Sequence, residues 1–192
     1  MFETVDSIIQ RDPAARSRWQ VILTYAGYQA VVGHRMTNWL WRHDHLLLAE
    51  VLSHWIRHHT GVEIHPAATL GRRLFIDHGM GVVIGETAVV GDDVTILHGV
   101  TLGSRHDEAG RRHPTIRNHV LLGANAQLLG PITIHDYAKV GAGAIVLHDV
   151  GNGETVAGNP AKLVNSWAKR SLKDNDKQLT NQENVKDGNE HD

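Results

Sequence analysis

Two polar interruptions, the pair Asp77-His78 and the loop 105–113, break an otherwise regular run of aliphatic residues. The first sets an imidazole beside a carboxylate, and the second ends on Arg111-Arg112-His113. An imidazole with an adjacent carboxylate is suited to removing a proton from a weak nucleophile, because the carboxylate fixes its tautomer and stabilises the imidazolium. Taken alone, Asp77-His78 reads equally as an ordinary surface turn, and Arg111-Arg112 as charges that solubilise a loop. The chain has no cysteine, which excludes disulfides, cysteine-ligated zinc and a thiol acyl-enzyme. Its 15 histidines invite a metal reading. His58 and His59, however, are adjacent rather than facing and read as a solvated helix end. His65, in His65-Pro66-Ala67-Ala68, reads as a structural residue.

The elements that must position these groups follow from a period of six. The aliphatic positions are Ile64, Leu70, Ile76, Val82, then Ile84, Val90, Ile96, Leu102, then Ile116, Leu122, Leu128, Ile134, Val140 and Val146. That period belongs to neither an amphipathic helix nor a lone strand; it is the mark of a hexapeptide-repeat parallel β-helix. The fifth residue of each hexad is also apolar, as at Ala68, Leu74, Met80, Ala88, Val94 and Val100, and is expected to point inward. The second is often glycine, at 71, 85, 91, 103, 123 and 141, read as supplying positive φ for tight turns. Leu102 and Ile116 are 14 residues apart, one hexad plus eight, so the intervening segment is an extruded loop on a rigid scaffold.

Residues 1–61 read as a helical subdomain, 62–163 as the repeat domain with loop 104–113, and 164–192 as a tail. Asp12 before Pro13 looks like a helix N-cap. Gly27 is read as separating two helices, and an apolar stripe from Leu48 to Ile56 ends near Gly61. Trp19, Trp39, Trp41 and Trp55 are read as packing residues. The polar run beyond about residue 171 is expected to be disordered. A net charge of −2 with no basic, aromatic-laced cluster points away from nucleic acid and from anionic membranes. The N-terminus lacks the apolar core of a signal peptide, and no apolar run is long enough for a bilayer, so a cytoplasmic location is expected.

Five segments carry a more specific likeness: Arg11-Asp12-Pro13-Ala14, Glu63-Ile64-His65-Pro66-Ala67-Ala68, Ile76-Asp77-His78-Gly79-Met80-Gly81, Gly99-Val100-Thr101-Leu102-Gly103 and Arg112-His113-Pro114-Thr115-Ile116. Together they resemble serine O-acetyltransferase, over roughly residues 5–165. The resemblance implies a mainly β fold, a left-handed parallel β-helix with an N-terminal α-helical subdomain, against the usual crossover handedness. It implies acetyl transfer from acetyl-CoA to the hydroxyl of L-serine, giving O-acetyl-L-serine for cysteine biosynthesis, in a homotrimer with sites between neighbouring prisms. Carried over residue by residue, His78 is the general base, Glu63 the carboxylate that orients it, and His113 a second active-site histidine. Arg112 would hold the serine carboxylate, and Asp12 and Asp77 its ammonium. Gly103, Ala124, Lys139 and Ala142 would contact CoA, backbone N–H groups near Gly103 would meet the oxyanion, and no metal is expected.

The chain also departs from the family pattern. Residues 104–110 replace the family's glycine and Thr-Gly-Lys stretch, which leaves a different hydroxyl acceptor (homoserine, a sugar or a xenobiotic) as the main alternative. The chain starts close to Arg11-Asp12, which favours a trimer over a hexamer. It ends on Asn-Glu-His-Asp192 instead of isoleucine, which argues against the anchored complex with cysteine synthase. A γ-type zinc carbonic anhydrase, with His78, His113 and His119 as ligands, is the remaining alternative.

Overall fold

Short strands separated by corners build three parallel sheets in a computed structural model that describes residues 2–105 and 110–166. The tail expected to be disordered, and residues 106–109 of the loop, lie outside the described residues. Face A stacks β1 (Glu63–Ile64), β4 (Val83–Ile84), β7 (Thr101–Gly103), β10 (Gln127–Leu129) and β13 (Ile145–Val146). Face B stacks β2 (Thr69–Leu70), β5 (Val89–Val90), β8 (Thr115–Ile116) and β11 (Thr133–Ile134). Face C stacks β3 (Phe75–Ile76), β6 (Thr95–Ile96), β9 (Leu121–Leu122), β12 (Lys139–Val140) and β14 (Glu154–Ala157). The strand β15 (Lys162–Ser166) then runs back antiparallel to β14. Each coil thus has three corners, A–B, B–C and C–A. The spacing from β3 to β4 is two residues longer than the hexad, and this extra length is the Asp77-His78 corner.

All the aliphatic ladder positions are buried, most of them completely. A filled interior of this kind, at roughly 1.5–3 kcal/mol per large side chain, holds the corners rigidly. Met80 departs from expectation and is 68% exposed. The two-residue insertion shifts the phase, and Val82 takes the inward place instead. The second-position glycines also serve a different purpose from the one expected. None of the six has positive φ, which falls instead on corner residues such as Arg73, His78, Asp93 and Asn125. What glycine provides there is clearance between coils: a Cβ on Gly71 would lie 2.4 Å from the backbone of Gly91.

Four helices precede the prism among the described residues: α1 (Phe2–Arg11), α2 (Arg18–Thr24), α3 (Ala26–Arg42) and α4 (Leu46–Thr60). Gly61 closes α4 in the left-handed conformation, as its position suggested. Asp12 is not an N-cap. It follows α1, where Oδ1 accepts from the Ala14 N–H at 2.8 Å, and α2 is capped by Ser17 instead. Gly27 lies inside α3 rather than between helices. A Cβ there would sit 2.1 Å from the carbonyl oxygen of Ile76, so it lets α3 press against β3. The tryptophans are not mainly packing residues: Trp19, Trp39 and Trp55 are more than half exposed. Of the four described tryptophans only Trp41 is partly covered, edge-on to His65 at 5.1 Å. No helix of the described residues is long and apolar enough to cross a membrane.

Candidate active site

At the C–A corner the chain leaves β3 and enters Asp77 and His78, the latter at φ 59°. The left-handed turn directs the imidazole outward, 75% exposed, with Nε2 3.8 Å from Asp77 Oδ1. Asp12, Tyr25, Asp77 and His78 line one cavity of about 380 Å³, together with Gly27 and Ile76. Asp12 reaches it because Arg11 pins the end of α1 to the prism. The Arg11 guanidinium donates to the carbonyls of Arg73, Asp93 and Val94 and to Thr95 Oγ1, and it lies over the Phe75 ring. The Tyr25 hydroxyl donates to Asp12 Oδ2 at 2.6 Å. One coil further along the corner, the His98 ring meets His78 edge-on at 5.9 Å between centroids.

The A–B corner carries the second group. His113, only 7% exposed, folds over the backbone at Gly85. The Thr87 N–H donates to His113 Nδ1 at 3.2 Å, so Nδ1 is the acceptor and the proton sits on Nε2. The Thr87 hydroxyl completes the contact, 2.9 Å from Nδ1. Burial, followed by the Arg112 charge, pushes His113 below its ordinary value. Arg112 forms an ion pair with Glu86. Residues 110–113 are further tethered through Arg111, whose guanidinium donates to Thr133 Oγ1 at 3.2 Å.

In one chain, then, Asp12, Asp77 and His78 come together, while Arg112 and His113 stand across face A from them. Glu63 is paired with Arg57 at 2.8 Å rather than with His78. It is nevertheless near the foot of the His78 corner: the Gly81 N–H donates to Gly61 O at 2.9 Å, stacking that turn on the start of the first coil. His119, the third candidate zinc ligand, lies at the B–C corner, stacked on Tyr137 at 4.7 Å. The three histidines of that reading therefore occupy three different corners. His65 is held internally, its Nδ1 accepting from the Ala67 N–H at 3.1 Å, as its structural reading requires.

The bacterial transferase hexapeptide family (six repeats) matches residues 113–148. Serine acetyltransferase of Bacillus subtilis (strain 168) is 48% identical over 172 residues, covering 90% of this chain and 79% of the relative. The chain belongs to the serine acetyltransferase family. Among solved structures, soybean serine acetyltransferase complexed with serine superposes with a TM-score of 0.82 at 46% identity, covering 84% of this chain and 67% of that one. The serine acetyltransferase of Brucella abortus strain S19 in complex with coenzyme A superposes at 0.84 with 41% identity, covering 86% and 66%. This chain thus spans about two-thirds of those solved relatives.

Seen against the serine acetyltransferase pattern, the four candidate CoA positions divide between corners. Ala124 and Ala142 lie on the His78 corner beyond His98, linked coil to coil by Asn125 N–H to His98 O and Gly143 N–H to Ala124 O. Lys139 is exposed at the start of β12, just before that corner, whereas Gly103 ends β7 at the A–B corner. Sequence reasoning missed Tyr25, His98, Glu86 and Thr87. His98 was accessible to it: one 18-residue coil plus the two-residue insertion places residue 98 directly over residue 78. Glu86 and Thr87 sit at a corner whose significance depends on how the loop folds back. Tyr25 carries no local signal.

Proposed function

We propose that this chain transfers the acetyl group of acetyl-CoA to the hydroxyl of L-serine, with His78 as general base. The observation that carries this reading is the cavity in which His78 meets two carboxylates, Asp12 and Asp77. Two anionic groups beside a base suit a substrate bearing an ammonium group next to its hydroxyl. The soybean relative is a complex with serine and the Brucella relative one with coenzyme A, which supports serine as acceptor and a CoA thioester as donor.

In the proposed reaction His78 removes the hydroxyl proton as the serine oxygen attacks the thioester carbonyl. The C–S bond then breaks, and the imidazolium returns its proton to the CoA thiolate. Asp77, or Glu63 after release from Arg57, orients the imidazole. His98, edge-on to His78 and one coil short of the CoA position Ala124, is the imidazole we assign to the oxyanion beside the backbone N–H groups near Gly103. Arg112 receives the serine carboxylate, with His113 beside it. Because His78 and Arg112 occupy different corners of one prism, a complete site takes one corner from each of two neighbouring chains. A cytoplasmic homotrimer is the assembly we assign.

The test is CoA release with L-serine, with homoserine and with no acceptor, for wild type and His78→Ala. Serine-dependent release that falls by roughly 10²–10⁴-fold in His78→Ala supports the reading. No stimulation by serine, greater stimulation by homoserine, or a variant near full rate overturns it.

A further inference from the structure

The acceptor cavity holds one side chain whose part in the chemistry neither the sequence motifs nor the scheme above supplies. Tyr25 stands at the break between α2 and α3, with extended backbone (φ −88°, ψ 101°) and its N–H bonded to Val21 O. This break turns its ring into the cavity lined by Asp12, Asp77 and His78. Its hydroxyl reaches Asp12 Oδ2 at 2.6 Å, while the Ala14 N–H holds Oδ1 at 2.8 Å. Each Asp12 oxygen is thereby gripped by one donor, one from the turn that follows α1 and one from 13 residues further on. The carboxylate cannot rotate freely, and each oxygen keeps a lone pair for a ligand.

No lysine or arginine lines the cavity among the described residues, so Asp12 and Asp77 face it without a cationic side chain. Two carboxylates on one cavity wall favour a cationic group there, and a phenol donor to Asp12 supplies no competing positive charge. Burial first, and then the hydrogen bond and charge of Asp12 and the charge of Asp77, push the Tyr25 phenol up to about 12. It is therefore a donor throughout the working pH range.

We infer that Tyr25 is a positioning residue for acceptor recognition: its hydroxyl fixes the Asp12 carboxylate to receive the acceptor's ammonium, and so sets the preference for amino-acid hydroxyls over hydroxyls lacking an amino group. The inference rests on the reading of Asp12 as an ammonium ligand given above. It assigns no step of proton transfer to Tyr25. The phenol acts on binding and selectivity, through Asp12.

The experiment compares wild type, Tyr25→Phe, Asp12→Asn and the double variant. It measures kcat and KM for L-serine, KM for acetyl-CoA, and kcat/KM for β-hydroxypropionate, which is serine without its amino group. Phenylalanine keeps the ring and removes only the hydroxyl, and thermal unfolding of each variant monitors the fold. Loss of a hydrogen bond to a charged group predicts about a tenfold rise in serine KM for Tyr25→Phe, with kcat changed by less than about threefold. The KM for acetyl-CoA stays the same, and the preference for serine over β-hydroxypropionate falls by the same factor as serine affinity. On top of Asp12→Asn, Tyr25→Phe has less than about a twofold effect, because the two act through one contact.

An unchanged serine KM in Tyr25→Phe, equal losses with both acceptors, or a full effect on top of Asp12→Asn overturns the inference. These failures differ from those of the underlying reading. Wild type without serine-dependent CoA release removes the function and this inference together. Serine-dependent release that is insensitive to Asp12→Asn removes the ammonium assignment. An impaired Asp12→Asn beside a silent Tyr25→Phe removes only the role of Tyr25.

Discussion

The His113 ring occupies the space that a side chain on Gly85 would need: a Cβ there would lie 2.1 Å from both Cδ2 and Nε2. Gly85 does not have positive φ, so alanine is allowed by its backbone. Gly85→Ala should therefore leave the prism folded and displace the imidazole from its seat. The expected outcome is a fall of about tenfold or more in kcat/KM for serine, with a melting temperature within a few degrees of wild type. Steady-state kinetics beside thermal unfolding check it; a large stability loss with unchanged kinetics would contradict it.

Thr87 is the hub of the same corner. Its Oγ1 accepts from the N–H groups of Arg112 at 3.0 Å and His113 at 3.1 Å, and its hydroxyl faces His113 Nδ1. Thr87→Val keeps the shape and removes these bonds, leaving two backbone N–H groups to find water, at about 1–3 kcal/mol each if they stay buried. Serine KM should rise by about tenfold or more while acetyl-CoA KM changes little, and Thr87→Ser should retain most of the wild-type value. Equal serine KM in the valine and serine variants would count against the hydroxyl's role.

The sequence revealed the prism far better than its attachments, and for a physical reason. A repeat of six imposes the same inward requirement on every coil, so Ile64 through Val146 announce it repeatedly. Asp77 and His78 were visible because they disturb that repeat. Once such a disturbance occurs, the local pattern loses its phase: a strict count of six points Met80 inward, whereas Val82 holds that position. The glycines at 71, 91 and 123 stand out in the repeat, but their purpose does not, since inter-coil clearance depends on a neighbour about one coil away. Tyr25 and Arg11 act on the site through tertiary contacts with no sequence period, and the Glu86–Arg112 pair forms only after the loop returns to its corner.

Gly27 sets helix propensity against packing. In an exposed helix, replacing glycine by alanine stabilises by about 1 kcal/mol. Here a Cβ would meet the Ile76 carbonyl oxygen at 2.1 Å, a backbone atom that can move only if α3 lifts from β3. Overpacking of this kind costs about 1–3 kcal/mol or more. Gly27→Ala should thus be destabilising on balance, and because Gly27 and Ile76 line the acceptor cavity it should also raise serine KM. Denaturant unfolding gives the sign, and a stabilised variant would show that the helix yields freely.

His34 gives the helix–prism junction a pH dependence. It is 3% exposed with its ring against the backbone at His65 and Ala68, and burial, followed by the charge of Arg35, pushes it down to about 4. Above the unfolded value near 6.5 the ring is neutral in both states, and its contribution is independent of pH. As pH falls below 6.5 the unfolded chain takes up a proton that the folded chain refuses. Stability is therefore lost at roughly 1.4 kcal/mol per pH unit until about pH 4, where the folded state protonates too. Between pH 7 and pH 5 wild type should lose about 2 kcal/mol more than His34→Leu, since the other titrating groups, His65 included, are shared and cancel. Urea unfolding of both proteins at the two pH values measures the difference, and parallel losses would show that His34 is not the group responsible.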